Sequence, residues 1–186
     1  MQEQGSKGDE QTSPPLFREV QLFHIWMYWV PILIVTFLVW WQFYEQVVRN
    51  NPQGTQPIPD WLAWALTIVF GLGFPAFGVL MRLVTELHPG QLRVRVFPFR
   101  GSSIALEDVL EAEVRDYSAQ KEFGGWGVRA GRGGKAYSAY GNQGVQLWLK
   151  QEQRILIGSQ KAHELLEALR QAGVFVRLPS PRGRAR

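Results

Sequence analysis

The feature that most constrains this chain is a pair of long runs without a charged residue. The first, residues 20–44, lies between Glu19 and Glu45 and reads VQLFHIWMYWVPILIVTFLVWWQFY. The second, residues 61–81, lies between Asp60 and Arg82 and reads WLAWALTIVFGLGFPAFGVLM. Each reaches the roughly 20 residues that a bilayer-crossing helix needs. Six of the eight tryptophans (Trp26, Trp29, Trp40, Trp41, Trp61 and Trp64) fall before residue 65 and bracket these runs. From Trp26 to Tyr44 a helix would measure about 27 Å at about 1.5 Å per residue. That is close to the hydrocarbon thickness of about 30 Å and puts aromatic rings at both headgroup levels. A helix buried in a soluble domain would carry a polar stripe, and neither run has one. A cleaved signal does not fit. The first run follows a 19-residue polar, acidic tail, is too long for a signal core, and is followed by no small-residue cleavage pattern.

The connector, residues 45–60 (EQVVRNNPQGTQPIPD), is rich in Pro, Gly and Asn and predicts an irregular solvent-facing loop between two helices packed as a hairpin. Asp60 is the expected N-cap of the second helix. Ala63, Thr67 and Gly71 recur every four residues, so they share one helix face, where small side chains let helix backbones approach closely in lipid. Pro31 and Pro75 each remove a backbone donor and mark bends, and Gly71–Pro75 is the most flexible point, as a hinge or a passive bend. Two spans put both termini on one side. The connector carries one basic residue, Arg49, whereas the flanks hold the rest of the 20, with Arg82 at the exit of the second run. The positive-inside rule then predicts a multi-pass protein of the cell membrane with cytoplasmic termini.

Residues 82–178 predict a compact β-rich module. Arg82–His88 and Gln91–Phe99 alternate apolar and polar residues around a Pro89-Gly90 turn, as a hairpin does. A short Ile104–Leu106 segment leads to further strands at Val109–Tyr117, Trp126–Ala130, Lys135–Tyr140, Val145–Lys150 and Arg154–Gly158, separated by turn signals. About seven strands of this kind predict a meandering antiparallel sheet or small barrel. A helix over residues 159–172, with Ser159 as N-cap, Gly173 as its stop and an apolar stripe from Ala162 to Ala172, would cover it. Val174–Leu178 reads as a last strand or an extended tail. The tails at residues 1–19 and 179–186 have the composition of disordered segments.

The order of FGGWGVR (123–129), KAYSAYGNQGVQLWL (135–149) and RILIGSQKAHELLEAL (154–169), behind two apolar runs, resembles the second half of the bacterial pleckstrin-homology-like (PH-like) membrane proteins. The resemblance covers residues 20–175. It implies a membrane α+β fold: a two-helix transmembrane hairpin, then a PH-like antiparallel sheet or barrel closed by a C-terminal helix. It implies a topology more than an activity.

Catalytic chemistry finds little support. The chain has no cysteine, which excludes disulfides, thiol nucleophiles and Cys-based metal sites. His24, His88 and His163 show no metal-ligand spacing, and no metal or cofactor is expected. AGRGGKA (130–136) departs from a phosphate loop: Arg129 stands where the first glycine belongs, and Ala136 follows Lys135 where a hydroxyl is needed. The acidic stretch Glu107–Asp116 alternates with apolar residues, the pattern of a solvated strand face. From residue 82 onward the chain is net +7. Arg129, Arg132 and Lys135 would cluster at one glycine-rich tip near Trp126. With Arg82, this tip either contacts anionic lipid headgroups or is an ordinary solvated surface. The turn His88–Gln91 is short and not basic, unlike the inositide-binding loop of eukaryotic PH domains. No stacking platform points to nucleic acid. The expectation is a non-catalytic, membrane-anchored binding or scaffold module recognising a protein partner or anionic headgroups. The alternative is an accessory or assembly subunit of a larger membrane complex.

Overall fold

The computed structural model describes residues 14–23, 26–51, 58–131 and 134–177. It divides into a helical unit, Phe23–Met81, and a β unit made from the segments on either side of it.

In the helical unit, α1 (Trp26–Phe43) runs on into a π-helical turn, Tyr44–Val48. After the connector, α2 (Asp60–Leu66), a π-helical stretch Thr67–Gly73 and α3 (Phe74–Leu80) form one helical rod. Both rods are long and apolar enough to cross a membrane. Contacts between them descend in antiparallel order. The Phe43 and Trp64 rings meet edge-on at 4.6 Å between centroids. The Trp40 indole sits on Gly71, and Ile32 and Trp29 sit on Gly78. The first rod is displaced from the expected residues 20–44, starting at Trp26 and passing beyond Glu45. Glu45 tolerates this because it is not left bare: Arg49 Nη1 donates to it at 3.0 Å, and Asn51 Nδ2 at 3.4 Å. Pro59, not Asp60, occupies the cap position; Asp60 opens the first turn, where a carboxylate suits the helix dipole, and accepts a bond from Gln46 Nε2 at 3.2 Å.

The β unit is built from two sheets. The first has the order β1-β2-β3-β4 (Phe17–Leu22, Arg82–His88, Gln91–Phe97, Ser102–Ala105) and is wholly antiparallel. The second has the order β10-β5-β8-β9-β7-β6, with β5 Val109–Asp116, β6 Gly127–Gly131, β7 Gly134–Ser138, β8 Gln143–Leu149, β9 Arg154–Gly158 and β10 Val176–Arg177. This differs from the expected seven-stranded meander. The sheets do not close into a barrel, so the PH-like barrel is not what forms. Two pairings, β7 with β9 and β10 with β5, are parallel. The segment before β6 holds one helical turn, α4 (Ala119–Phe123), capped by the Ser118 hydroxyl accepting from the Lys121 amide at 3.4 Å.

The largest departure lies at the start. Phe17–Leu22 falls across the expected tail and first span, yet it pairs along its whole length with β2, Leu22 opposite Arg82 and Phe17 opposite Leu87. Its alternation is inverted. Phe17, Glu19 and Gln21 face inward, while Val20 and Leu22 face out. The Glu19 carboxylate and the Gln21 amide nitrogen have partners, whereas Gln21 Oε1 is buried without one. Glu19 accepts from the Ser159 hydroxyl at 2.5 Å and from the Gln160 amide at 2.9 Å, and Gln21 Nε2 donates to the Gly158 carbonyl at 2.9 Å. Ser159 is therefore not the N-cap of α5, which spans Ala162–Gln171 from a cap at Lys161. Its hydroxyl accepts from the Lys161 amide while bonding Glu19. Gly173 follows α5 at φ 90°, a conformation that suits glycine at a helix end. Leu165 and Leu169, fully buried on α5, add to the buried apolar set that includes Leu83, Leu87, Leu92 and Val94 of the first sheet and Val145, Leu147 and Ile157 of the second, while Leu156 points to the other face of β9, into a cluster with Tyr117, Ala119, Phe123 and Ala136.

Glu19→Ala removes the acceptor of one hydroxyl and one amide at a buried site. It is expected to cost about 2–3 kcal/mol, read as a lower Tm of the detergent-solubilised chain, with Glu19→Gln less affected. An unchanged Tm for the alanine variant would show that the bonds do not tie the sheets.

Candidate functional site

Surface chemistry is distributed over both units, and it starts in the helical one. Ala63, Thr67 and Gly71 are all buried there. Thr67 Oγ1 donates back to the Ala63 carbonyl at 2.9 Å. At Gly71 a Cβ would stand 2.9 Å from Trp40 Nε1, so only glycine admits the indole. Pro75 has no N–H to offer the Gly71 carbonyl four residues earlier, and the Trp40 indole donates to that carbonyl at 3.2 Å. Gly78 belongs to the same contact. A Cβ there would lie 2.9 Å from Ile32 Cδ1, and Tyr28 Oη donates to its carbonyl at 3.4 Å. The four-residue spacing stops at Gly71 and so misses Gly78, two helical turns further on.

In the β unit, Arg129 and Lys135 share the β6–β7 hairpin but not a face. Arg129 stands opposite Ala136 and Lys135 opposite Ala130, and successive residues of a strand point to opposite faces. The expected single basic tip is therefore split. Arg132 lies outside the described residues. Arg129 Nε donates to the Trp126 carbonyl at 3.2 Å. Trp126 is half-buried against Tyr117, Phe123, Ala136 and Leu156, and its indole donates to the Gly141 carbonyl at 3.3 Å. That ring is a packing element more than a free anchor. Lys135 borders a cleft of about 970 Å³ with Leu110, Trp148, Glu152 and Arg154. Arg82 lies in the other sheet, its guanidinium 4.9 Å above the Phe97 ring.

Several carboxylates are held by neighbouring cations. Glu122 lies 2.8 Å from Arg115 Nη2, and its pKa is lowered mainly by that bond. Glu167 is pulled down to about 2 by Arg170 and then by Gln171. Burial raises the Tyr117 phenol. His88 is buried, His24 lies outside the described residues, and among the described residues no three His, Cys, Asp or Glu side chains group to hold a metal.

The described surfaces thus offer helix packing, paired carboxylates and unpaired arginines. A family signature matches residues 10–175, which takes in β1, both helical rods and both sheets through α5. The chain belongs to DUF6141, a family of unknown function. No curated protein matches this DUF6141 chain.

Two consequences are measurable. Gly71→Leu forces the Trp40 indole off the helix, an overpacking cost of about 1–3 kcal/mol, and should lower the Tm of the solubilised chain by more than Gly73→Leu. Arg115→Gln should return Glu122 toward the ordinary carboxylate range in an NMR titration. Because the Glu122 pKa is depressed in the fold, its stabilising contribution is present above the unfolded value and lost as pH falls through the folded one. The variant should therefore be less acid-sensitive than the parent.

Proposed function

We propose that this chain is a membrane-anchored, non-catalytic binding module. The helical hairpin holds it in the cell membrane, and the β unit works at the cytoplasmic surface on a protein partner or anionic lipid. One observation carries this reading: only 17% and 22% of the two apolar windows is buried within the protein. Leu33, Phe37, Ile68 and Val79 each keep more than half of their surface exposed, at 59%, 64%, 57% and 61%. A core helix would be mostly covered. Apolar area of this extent needs a cover, and hydrocarbon supplies one along both rods. The pairing of Leu22 with Arg82 supports an even number of crossings, since the chain leaves and re-enters the β unit at neighbouring positions. The excess of basic residues outside the connector supports a cytoplasmic β unit.

The accessory-subunit reading drew on the small-residue row. That row is buried within the chain, with Gly71 against Trp40, which favours the module reading.

The absence of native cysteine makes topology directly measurable. In intact bacterial cells a membrane-impermeant maleimide should label Asn51→Cys in the connector. It should label His163→Cys on α5 only after permeabilisation. The opposite pattern overturns the orientation, and release of the chain by alkaline carbonate overturns the anchoring.

A further inference from the structure

The outward face of the four-stranded sheet changes character along its length. Register aligns its rows across the strands. Arg18, Glu86, Arg93 and Ser103 make one row, Val20, Val84 and Arg95 the next, with Val84 itself buried, and Leu22, Arg82 and Phe97 the last. The first row is polar, with Arg18 paired to Glu86 at 3.2 Å. The last is apolar and basic. Beyond it the β3–β4 turn adds Phe99, 58% exposed, and an exposed Arg100. Leu22 and Val20 are 45% and 41% exposed, while the polar Glu19 and Gln21 of the same strand are buried. A strand that turns its apolar side outward fits an apolar surrounding on that side.

Charge points the same way. Arg18, Arg115, Arg170 and Arg177 each have a carboxylate within reach. Among the described residues Arg82, Arg95 and Arg100 have none, as is also true of Arg93, Arg129 and Arg154, and the first three differ in standing at or beyond the rows nearest the helical segment. The chain path supplies continuity: only residues 23–25 separate Leu22 from α1, and only Met81 separates α3 from Arg82.

We propose that this end of the sheet is an interfacial anchor. Leu22, Phe97 and Phe99 lie at the acyl boundary, and Arg82, Arg95 and Arg100 meet the phosphates of an anionic bilayer. The aromatic rings and snorkelling arginine stems are the side chains suited to that layer, and the guanidinium over Phe97 keeps its donors free for phosphate oxygens. This inference rests on the membrane reading above and assigns the lipid-facing surface of the β unit.

The test places single nitroxide labels on the full chain reconstituted in phosphatidylglycerol–phosphatidylcholine vesicles. Sites are Phe99→Cys, Leu22→Cys, Gln153→Cys at the β8–β9 turn, and Leu33→Cys on α1. Collision with oxygen relative to a water-soluble nickel complex reads the depth of each. The ratio is expected to be high at Leu33 and several-fold above the Gln153 value at both Leu22 and Phe99. It should fall at Phe99 in pure phosphatidylcholine, and Arg82→Gln with Arg100→Gln should remove that lipid dependence. Water-like values at Leu22 and Phe99 with a deep Leu33 overturn the anchor alone. A water-like Leu33 overturns the membrane reading as well. Shielding of Phe99 and Leu22 from both reagents means that protein covers the face, and also overturns the anchor.

Discussion

The β1–β2 pairing is the constraint on which the rest depends. It joins two segments separated by the whole helical unit, so residues 23–81 form an insertion whose two ends are held side by side. The entropy of closing such a loop rises slowly with length, about 0.6 kcal/mol per doubling, and a helical hairpin brings its own ends together. The seal is made by polar groups. Glu19 and Gln21 reach from β1 to the β9–α5 turn and satisfy a hydroxyl, an amide and a carbonyl there. Leaving those groups unmet in the interior would cost more than the bonds contribute in water exchange. A β unit assembled this way needs its N-terminal strand, and removing the segment before α1 would open the four-stranded sheet.

The hairpin obeys the same accounting of backbone partners. Pro75 interrupts the ladder, and in an apolar surrounding the freed Gly71 carbonyl has no water to turn to. The Trp40 indole meets it because glycine leaves room for the ring. A tryptophan near the end of an apolar run reads at first as an interface marker. In this fold Trp40 is also a hydrogen-bond donor between helices, and Trp126 is likewise a packed donor inside the β unit.

Much of the β unit was legible because local alternation is a local signal. Arg82–His88 and Arg154–Gly158 form strands at the residues where the pattern places them, and the Pro89-Gly90 turn lies between β2 and β3. Long-range pairing was not legible. Nothing in the sequence near Val176 announces a parallel partner at Ala112, nor near Lys135 one at Ile155. β1 escaped notice because its alternation is inverted and its last residues merge with the charge-free run. Glu19 looked like the boundary of a span when it is an interior ligand of Ser159. The split of the Arg129 and Lys135 pair was hidden for a related reason: closeness in sequence around a turn does not give a shared face, and register decides it.

Inverted alternation in β1 also bears on the medium that this sheet meets. A half-exposed sheet in water normally shows polar residues outside. Here the outside of β1 is Arg18, Val20 and Leu22, grading from charged to apolar toward the point where the chain enters α1. On the return strand the corresponding residues are Glu86, Val84 and Arg82, with Val84 buried and Arg82 exposed where the strand follows α3. The antiparallel register thus sets an exposed Leu22 beside an exposed Arg82 at one end and pairs Arg18 with Glu86 toward the other. The arginines at the apolar end do not break the gradient. A guanidinium on a long stem, lying over Phe97 and without a carboxylate partner, is suited to a layer where hydrocarbon gives way to phosphate.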